Sequence, residues 1–145
     1  MIGLIQRVNH ASVNIDQKCV AKIEKGLLLL LGIEREDTSA NLDKLLRKTL
    51  NYRIFPDDNG RMNLSLTDIQ GDLLVVSQFT LVADTAKGNR PGFSRGATPE
   101  HGEKMFNEFV QKASQQHDNV SAGVFGADMQ VALLNDGPVT FWLNT

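Results

Sequence analysis

At 145 residues the chain is sized for one domain, and residues 1–145 are read as a single unit with enough apolar content, 41%, for a packed core. A net charge of −2 excludes a general polyanion binder, so any contact with nucleic acid has to come from a local basic patch. Cys19 is the only cysteine, which excludes an intrachain disulfide, and Met1 to Arg7 lacks the charged start and long apolar core of a signal peptide.

No apolar run approaches the ~20 residues that a membrane helix needs. The expectation is a soluble cytoplasmic protein. Ile2, Leu4 and Val8 alternate with other residues, as do Ala11, Val13 and Ile15, which predicts two strands joined by a turn around Asn9-His10. Asp16-Gln17-Lys18 reads as a second turn. Gly26 to Ile33 is a continuous apolar run bounded by glycines, the pattern of a strand buried on both faces.

A helix follows. Thr38 or Ser39 caps it, and Leu42, Leu45, Leu46, Thr49 and Leu50 form one stripe. Arg53-Ile54-Phe55 runs into the turn Pro56-Asp57-Asp58-Asn59-Gly60, with Met62 to Ser65 as the hairpin return. Asp72 to Val82 reads as a strand and Asp84 to Thr98 as a long loop. Thr98 and Pro99 then open a second helix, with Met105, Phe106, Phe109, Val110 and Ala113 on its buried face. The remainder, Val120, Val124-Phe125, Met129 to Leu134 and Val139 to Leu143, reads as three short strands. The pattern is α+β: a mostly antiparallel, barrel-like sheet with two long helices.

Two segments carry the chemical interest. Ser77-Gln78-Phe79-Thr80-Leu81 ends one apolar run, and Asn135-Asp136-Gly137-Pro138-Val139-Thr140 follows another. Small hydroxyl and amide residues at a strand end present hydrogen-bonding groups at its rim. Glycine reaches unusual dihedrals, and proline fixes φ and removes a donor. On residue type alone, each is more readily an ordinary strand end or turn than a site. His10, His101 and His117 are scattered without ligand spacing, so no metal is expected. Nucleotide phosphate loops are absent. A hydroxyl nucleophile at Ser77 or Thr80 needs an adjacent base, and the sequence places no histidine beside either. Lys87, Asn89, Arg90 and Arg95 are interleaved with Phe93 in the loop that leaves the first segment; by composition alone this is more readily a solvated loop with ordinary surface charge, but its position beside the first segment suits contact with phosphates and an unstacked base.

These residues resemble the bacterial D-aminoacyl-tRNA deacylases, also called D-tyrosyl-tRNA deacylases. The likeness spans the chain: Met1 to Val8, Ser77 to Leu81, Lys87-Gly88-Asn89-Arg90-Pro91-Gly92-Phe93, Phe125-Gly126-Ala127-Asp128-Met129 and Asn135 to Thr140. It implies a homodimer without cofactor that hydrolyses the ester of D-aminoacyl-tRNA and also acts on glycyl-tRNA. It further implies a cis Gly137-Pro138 that reaches across the dimer into the partner's pocket. Ser77, Gln78, Phe79 and Thr80 would form the catalytic wall. Gly137, Pro138, Met129, Phe125 and Arg7 would lie on the substrate side, with Arg7 bracing the Gly-Pro segment. Lys87, Asn89, Arg90 and Arg95 would meet the tRNA. Two mechanisms remain open: a water nucleophile assisted by the terminal ribose 2′-hydroxyl, with backbone N–H groups near Phe79 and Thr80 holding the oxyanion, or covalent attack by Thr80. A non-catalytic RNA-binding module and a small-molecule esterase are the competing readings.

Overall fold

Strand β3, Gly26–Gly32, shows why its sequence is apolar throughout. In the computed structural model, which describes residues 1–145, Leu27, Leu29 and Leu31 face one core and Leu28 faces another. Successive strand side chains point to opposite faces, so a strand covered on both sides needs no polar alternation. Its parallel neighbour β6, Asp72–Ser77, splits the same way: Leu73 and Val75 on one side, Leu74 and Val76 on the other. Gly26 has no room for a side chain, because a Cβ there would fall 1.9 Å from the Asp72 carbonyl oxygen.

Strand β1, Ile2–Ile15, organises the sheet. One edge pairs antiparallel with β3 along Ile2 to Val8 and with β2, Lys18–Ile23, along Ala11 to Ile15. Its other edge pairs antiparallel with β8, Gln130–Asn144. The path continues through β6 to β7, Val120–Ala122, by two parallel pairings. The sheet curls until β2 approaches β6 and β7, giving a nearly closed barrel. A separate hairpin pairs β4, Phe55–Pro56, with β5, Met62–Leu64.

The barrel interior holds Val8, Ala11, Val13, Ala21, Ile23, Leu28, Leu74 and Val76. The outer core lies under two long helices, α1 at Ser39–Asn51 and α3 at Pro99–Gln116. From α1, Leu42, Leu45, Leu46 and Leu50 are buried there, each burial being worth about 1.5–3 kcal/mol relative to exposure. The Asn41 side chain accepts the Thr38 N–H at 3.0 Å at the start of α1, and the Thr98 hydroxyl accepts the His101 N–H at 3.3 Å at the start of α3. No helix is long and apolar enough to cross a membrane. The fold is α+β, as the sequence pattern indicates.

Several local expectations change. Asn9-His10 makes no turn: β1 is continuous, and its pairing with β8 shifts register between Gln6 and Val8 and between Val8 and His10. One edge changes partner here, from β3, whose pairing ends at Val8, to β2, whose pairing begins at Ala11, and the pairing with β8 on the other edge carries the break-prone residues through as bulges. The strand expected to reach Val82 stops at Ser77, where a 3-10 turn, Phe79–Val82, takes over. Val124-Phe125 is not a strand, and Gln130 to Leu134 and Val139 to Leu143 belong to one long strand, β8, with Met129 just ahead of it. A short helix, α2 at Leu66–Ile69, follows the hairpin return, where the hairpin reading places none. Ser65 and Asp68 cap it reciprocally, with Ser65 N–H to Asp68 Oδ2 at 2.8 Å and Asp68 N–H to Ser65 Oγ at 3.2 Å.

Candidate active site

Parallel strands β3 and β6 end side by side at Gly32 and Ser77, with the first turn of α3 above them. The space beyond the carboxyl ends of parallel strands is the usual ligand crevice of an α/β unit. Here it is a cleft of roughly 490 Å³. Leu31, Ile33, Val76, Phe125, Met129 and Val131 supply apolar walls, and Ser77, Gln78 and Thr98 the polar side chains. No ionisable side chain lines it.

Ser77, Gln78 and Phe79 line the cleft together with Phe125 and Met129. Thr80 stands beside it, exposed, with its hydroxyl accepting a 2.6 Å hydrogen bond from Gln78 Nε2. An amide donor is not a base. The three histidines are elsewhere: His10 is exposed on β1, His101 contacts the Asp37 carbonyl, and His117 contacts the Gly71 carbonyl. Thr80 therefore has no general base to activate it.

The backbone at this corner offers donors instead. Gln78 N–H still bonds to Leu31 O at 2.8 Å, and Leu81 N–H bonds back to Gln78 O at 3.2 Å. Between them the Phe79 and Thr80 N–H groups, the first of the 3-10 turn, find no acceptor within the chain. Two neighbouring amides at the rim of an apolar cleft can receive a developing oxyanion.

Phe79 is 65% exposed, unusual for a large aromatic side chain. Its ring meets Phe93 at a centroid distance of 5.2 Å and a tilt of 51°. Phe93 reaches it from a closed lobe, because Asp84 and Gly92 exchange backbone hydrogen bonds of 2.8 and 2.9 Å. Lys87, Asn89 and Arg90 are exposed on that lobe, and none of their side chains has a partner. Arg95 is not with them. It pairs with Glu34 at 2.7 Å, and Glu34 also binds the Met1 ammonium at 3.1 Å. Burial pushes the Glu34 carboxyl up, but the hydrogen bonds and charges of the ammonium and Arg95 outweigh it and hold the group below its ordinary range.

Gly137-Pro138 is cis and lies within β8, where the sequence pattern indicates a turn between two strands. Along the sheet, Ser77 pairs with Leu31, Leu31 with Gly3 and Gly3 with Leu143. The Gly-Pro segment sits opposite Arg7, which pairs with Leu27 and through it with Leu73. Within one chain the two motifs are thus three strands apart and several residues offset, about 20 Å by strand spacing and rise. They share no cleft in one chain. Arg7, 9% exposed, directs its guanidinium to Asp136: Nε lies 3.0 Å from the carbonyl and 3.1 Å from Oδ2. Its Nη1 donates to Ile54 O at 2.6 Å.

The first turn of α3 was not anticipated as part of the site. Ala97, Thr98, Pro99 and Gly102 all line the cleft. Gly102 was the available signal, since glycine inside a helix costs ~1 kcal/mol against alanine. The reason is packing: a Cβ at Gly102 would lie 3.0 Å from Phe125 Cζ. Gly123 makes similar room for Met129, whose Sδ would be 2.6 Å from an added Cβ.

Comparison with known proteins agrees with this architecture. A family model described as D-Tyr-tRNA(Tyr) deacylase matches residues 4–144. Curated D-aminoacyl-tRNA deacylases are similar over their whole length: that of Alteromonas mediterranea is 58% identical over 144 residues, covering 99% of each chain. That of Stutzerimonas stutzeri is 57% identical over 145 residues, covering 100% of each. Among solved structures, one described as a c-Myc DNA unwinding element binding protein has a TM-score of 0.96 at 39% identity, covering 100% of this chain and 99% of the other. A probable eukaryotic D-amino acid tRNA deacylase has a TM-score of 0.81 at 17% identity, covering 99% and 98%, and shares the fold. By sequence and by fold, the chain belongs to the D-Tyr-tRNA(Tyr) deacylase family.

Proposed function

We propose that the chain is a hydrolase that cleaves the ester between a D-amino acid and the 3′ end of tRNA, and that it also accepts glycyl-tRNA. The observation that carries this reading is the uncharged cleft with two free backbone donors, at Phe79 and Thr80, on its rim. An aminoacyl ester is already activated. Catalysis then needs positioning, an oxyanion site and a water molecule, and the terminal ribose 2′-hydroxyl of the substrate assists that water. Thr80 as nucleophile is disfavoured, because its hydroxyl is held by an amide and faces no base.

Chiral selection follows from the second motif. Gly137 and Pro138 of one subunit close the cleft of the other, and their rigid main chain accepts the α-amino group of a D-residue and clashes with an L side chain. Glycine presents no side chain to reject. The assembly is a homodimer. Its support is the outer edge of β8, which has no partner within the chain and exposes Leu134 and Trp142. A long open edge with apolar side chains is a surface for pairing. Lys87, Asn89 and Arg90 meet tRNA phosphates from the lobe beside Phe93, while Arg95 supports that lobe through Glu34.

The test is a time course with D-Tyr-tRNA and L-Tyr-tRNA in parallel, with free D-tyrosine ethyl ester as a third substrate. Loss of the D-ester of tRNA alone supports the reading. Rapid cleavage of the free ester indicates a small-molecule esterase, and tRNA binding without cleavage indicates an RNA-binding module. Thr80→Val should retain turnover within about threefold; loss of the order of 10³-fold would establish the covalent route.

A further inference from the structure

The Gly137-Pro138 dipeptide is suspended rather than built into the ladder. Between the register pairs Gln6↔Thr140 and Val8↔Asn135, β1 supplies one residue, Arg7, and β8 supplies four, Asp136 to Val139. A bulge of this size leaves backbone groups of β8 without strand partners, and buried or half-buried backbone groups need them. Two side chains fill the gap. Arg7 takes the Asp136 carbonyl. Asn135 takes both groups of Val139: its Oδ1 accepts the Val139 N–H at 2.7 Å and its Nδ2 donates to the Val139 carbonyl at 3.3 Å. The same Nδ2 lies 3.1 Å from Thr140 Oγ1, which also accepts from Gln6 Nε2 at 3.3 Å on β1.

The Asn135 carboxamide thus stands in for a missing length of strand. It offers one acceptor and one donor, the same pair that a β-neighbour would present to Val139. No side chain hydrogen-bonds to Gly137 or Pro138 themselves, so the position of the dipeptide is set from its two ends, by Arg7 on one side and Asn135 on the other. Arg7 is tied to the body of the fold through Ile54, and Asn135 through Thr140 to Gln6.

We infer that Asn135 is a positioning residue for chiral selection, fixing the main chain at Gly137-Pro138 through Val139. This rests on the function proposed above. Asn135 touches no reacting atom; it sets where a discriminating main-chain group stands. Asp fits the same space, keeps an acceptor for the Val139 N–H and lacks the donor. Ala loses both. Gln carries both groups one methylene too far out.

The experiment compares Asn135→Ala, Asn135→Asp and Asn135→Gln with the unaltered protein on D-Tyr-tRNA and L-Tyr-tRNA, with kcat and KM measured separately. A displacement of the order of 1 Å in a positioning group costs about 10²-fold in rate, so Asn135→Ala should lower kcat on the D-ester by about 10–100-fold with little change in KM. The ratio of D- to L-ester turnover should fall with it, a change that simple loss of folded protein does not produce. Asn135→Asp should lie between Ala and the unaltered protein. Should Asn135→Ala not fold, Asn135→Asp carries the same comparison. A D-to-L ratio unchanged in the folded variants overturns the inference. Amide exchange at Val139 separates its failure from that of the functional reading. If the unaltered protein cleaves no D-ester, the functional reading falls, but the Val139 N–H should still be protected and lose protection in Asn135→Ala. Equal exchange in both overturns the positioning claim whatever the activity.

Discussion

Replacing Gly102 by alanine adds one methyl group near the start of α3, facing the cleft. Two opposing terms fix its effect on stability. Alanine in a helix interior is favoured over glycine by about 1 kcal/mol. Against this, the new Cβ would sit 3.0 Å from Phe125 Cζ and 3.4 Å from Cε2, so the ring has to give by several tenths of an ångström. Phe125 cannot retreat freely, because its other neighbour is the Phe106 ring at a centroid distance of 6.0 Å. Turning an aromatic ring off its preferred rotamer costs roughly 0.5–1.5 kcal/mol. The sum lies within about 0.5 kcal/mol of zero, which for a domain of this size is a shift in Tm of about 2 °C or less. Activity should move further, since Phe125 is a wall of the cleft and a displaced wall misplaces the ester against the Phe79 and Thr80 amides. We expect initial rates of D-Tyr-tRNA deacylation to fall at least about tenfold. Thermal melts and initial rates on the same preparation measure both. A Tm raised by 3–4 °C, the full ~1 kcal/mol helix gain, with turnover within twofold would show that Phe125 neither resists the methyl nor shapes the site.

Other expectations are simpler. Thr49 is fully buried on α1 and its hydroxyl has no hydrogen-bond partner, so Thr49→Val should stabilise the protein by about 1 kcal/mol, read as a higher urea midpoint; a lower midpoint refutes it. Lys87→Ala with Arg90→Ala should raise KM for tRNA substrates and reduce the slope of log KM against log salt by about 2, without affecting a short aminoacyl-adenosine; an unchanged slope removes the lobe from the tRNA contact. Acid should loosen the chain through Glu34, whose carboxyl is held below its ordinary value of 4.5. A depressed carboxylate stabilises the fold above its unfolded pKa, and that contribution disappears as pH falls through the folded value. Glu34→Gln should therefore flatten the loss of stability below pH 4.5, and melts from pH 6 to 3 that coincide in shape for both proteins would contradict this.

How far the sequence leads depends on the range of the force that fixes each element. β3 and α1 are legible because burial alone determines them: five leucines between two glycines, and a stripe of four leucines and Thr49 at helical spacing. Asn9-His10 and Asp136-Gly137-Pro138 carry turn chemistry, yet both lie inside long strands, since β1 and β8 pair along nearly their whole length and convert local breaks into bulges. Ser65-Leu66-Thr67-Asp68 has a readable capping pattern that the hairpin reading passed over. In the site, Ser77 and Gln78 are visible as polar residues ending an apolar run, with Phe79 next to them. The α3 contribution is not, because Thr98 and Gly102 reach the cleft only through the packing of α3 on α1 and β7, which no local pattern encodes.

The uncharged lining of the cleft has a consequence for rate as a function of acidity. A bell-shaped profile reports an acid and a base belonging to the protein. Here no protein group in the cleft changes charge between mild acid and mild alkali, so the profile belongs to the substrate and the solvent: the α-ammonium of the aminoacyl ester and the supply of hydroxide. Moving the amino acid's own ammonium pKa should move the curve, and exchanging residues of the lining should lower or raise it without displacing its inflection.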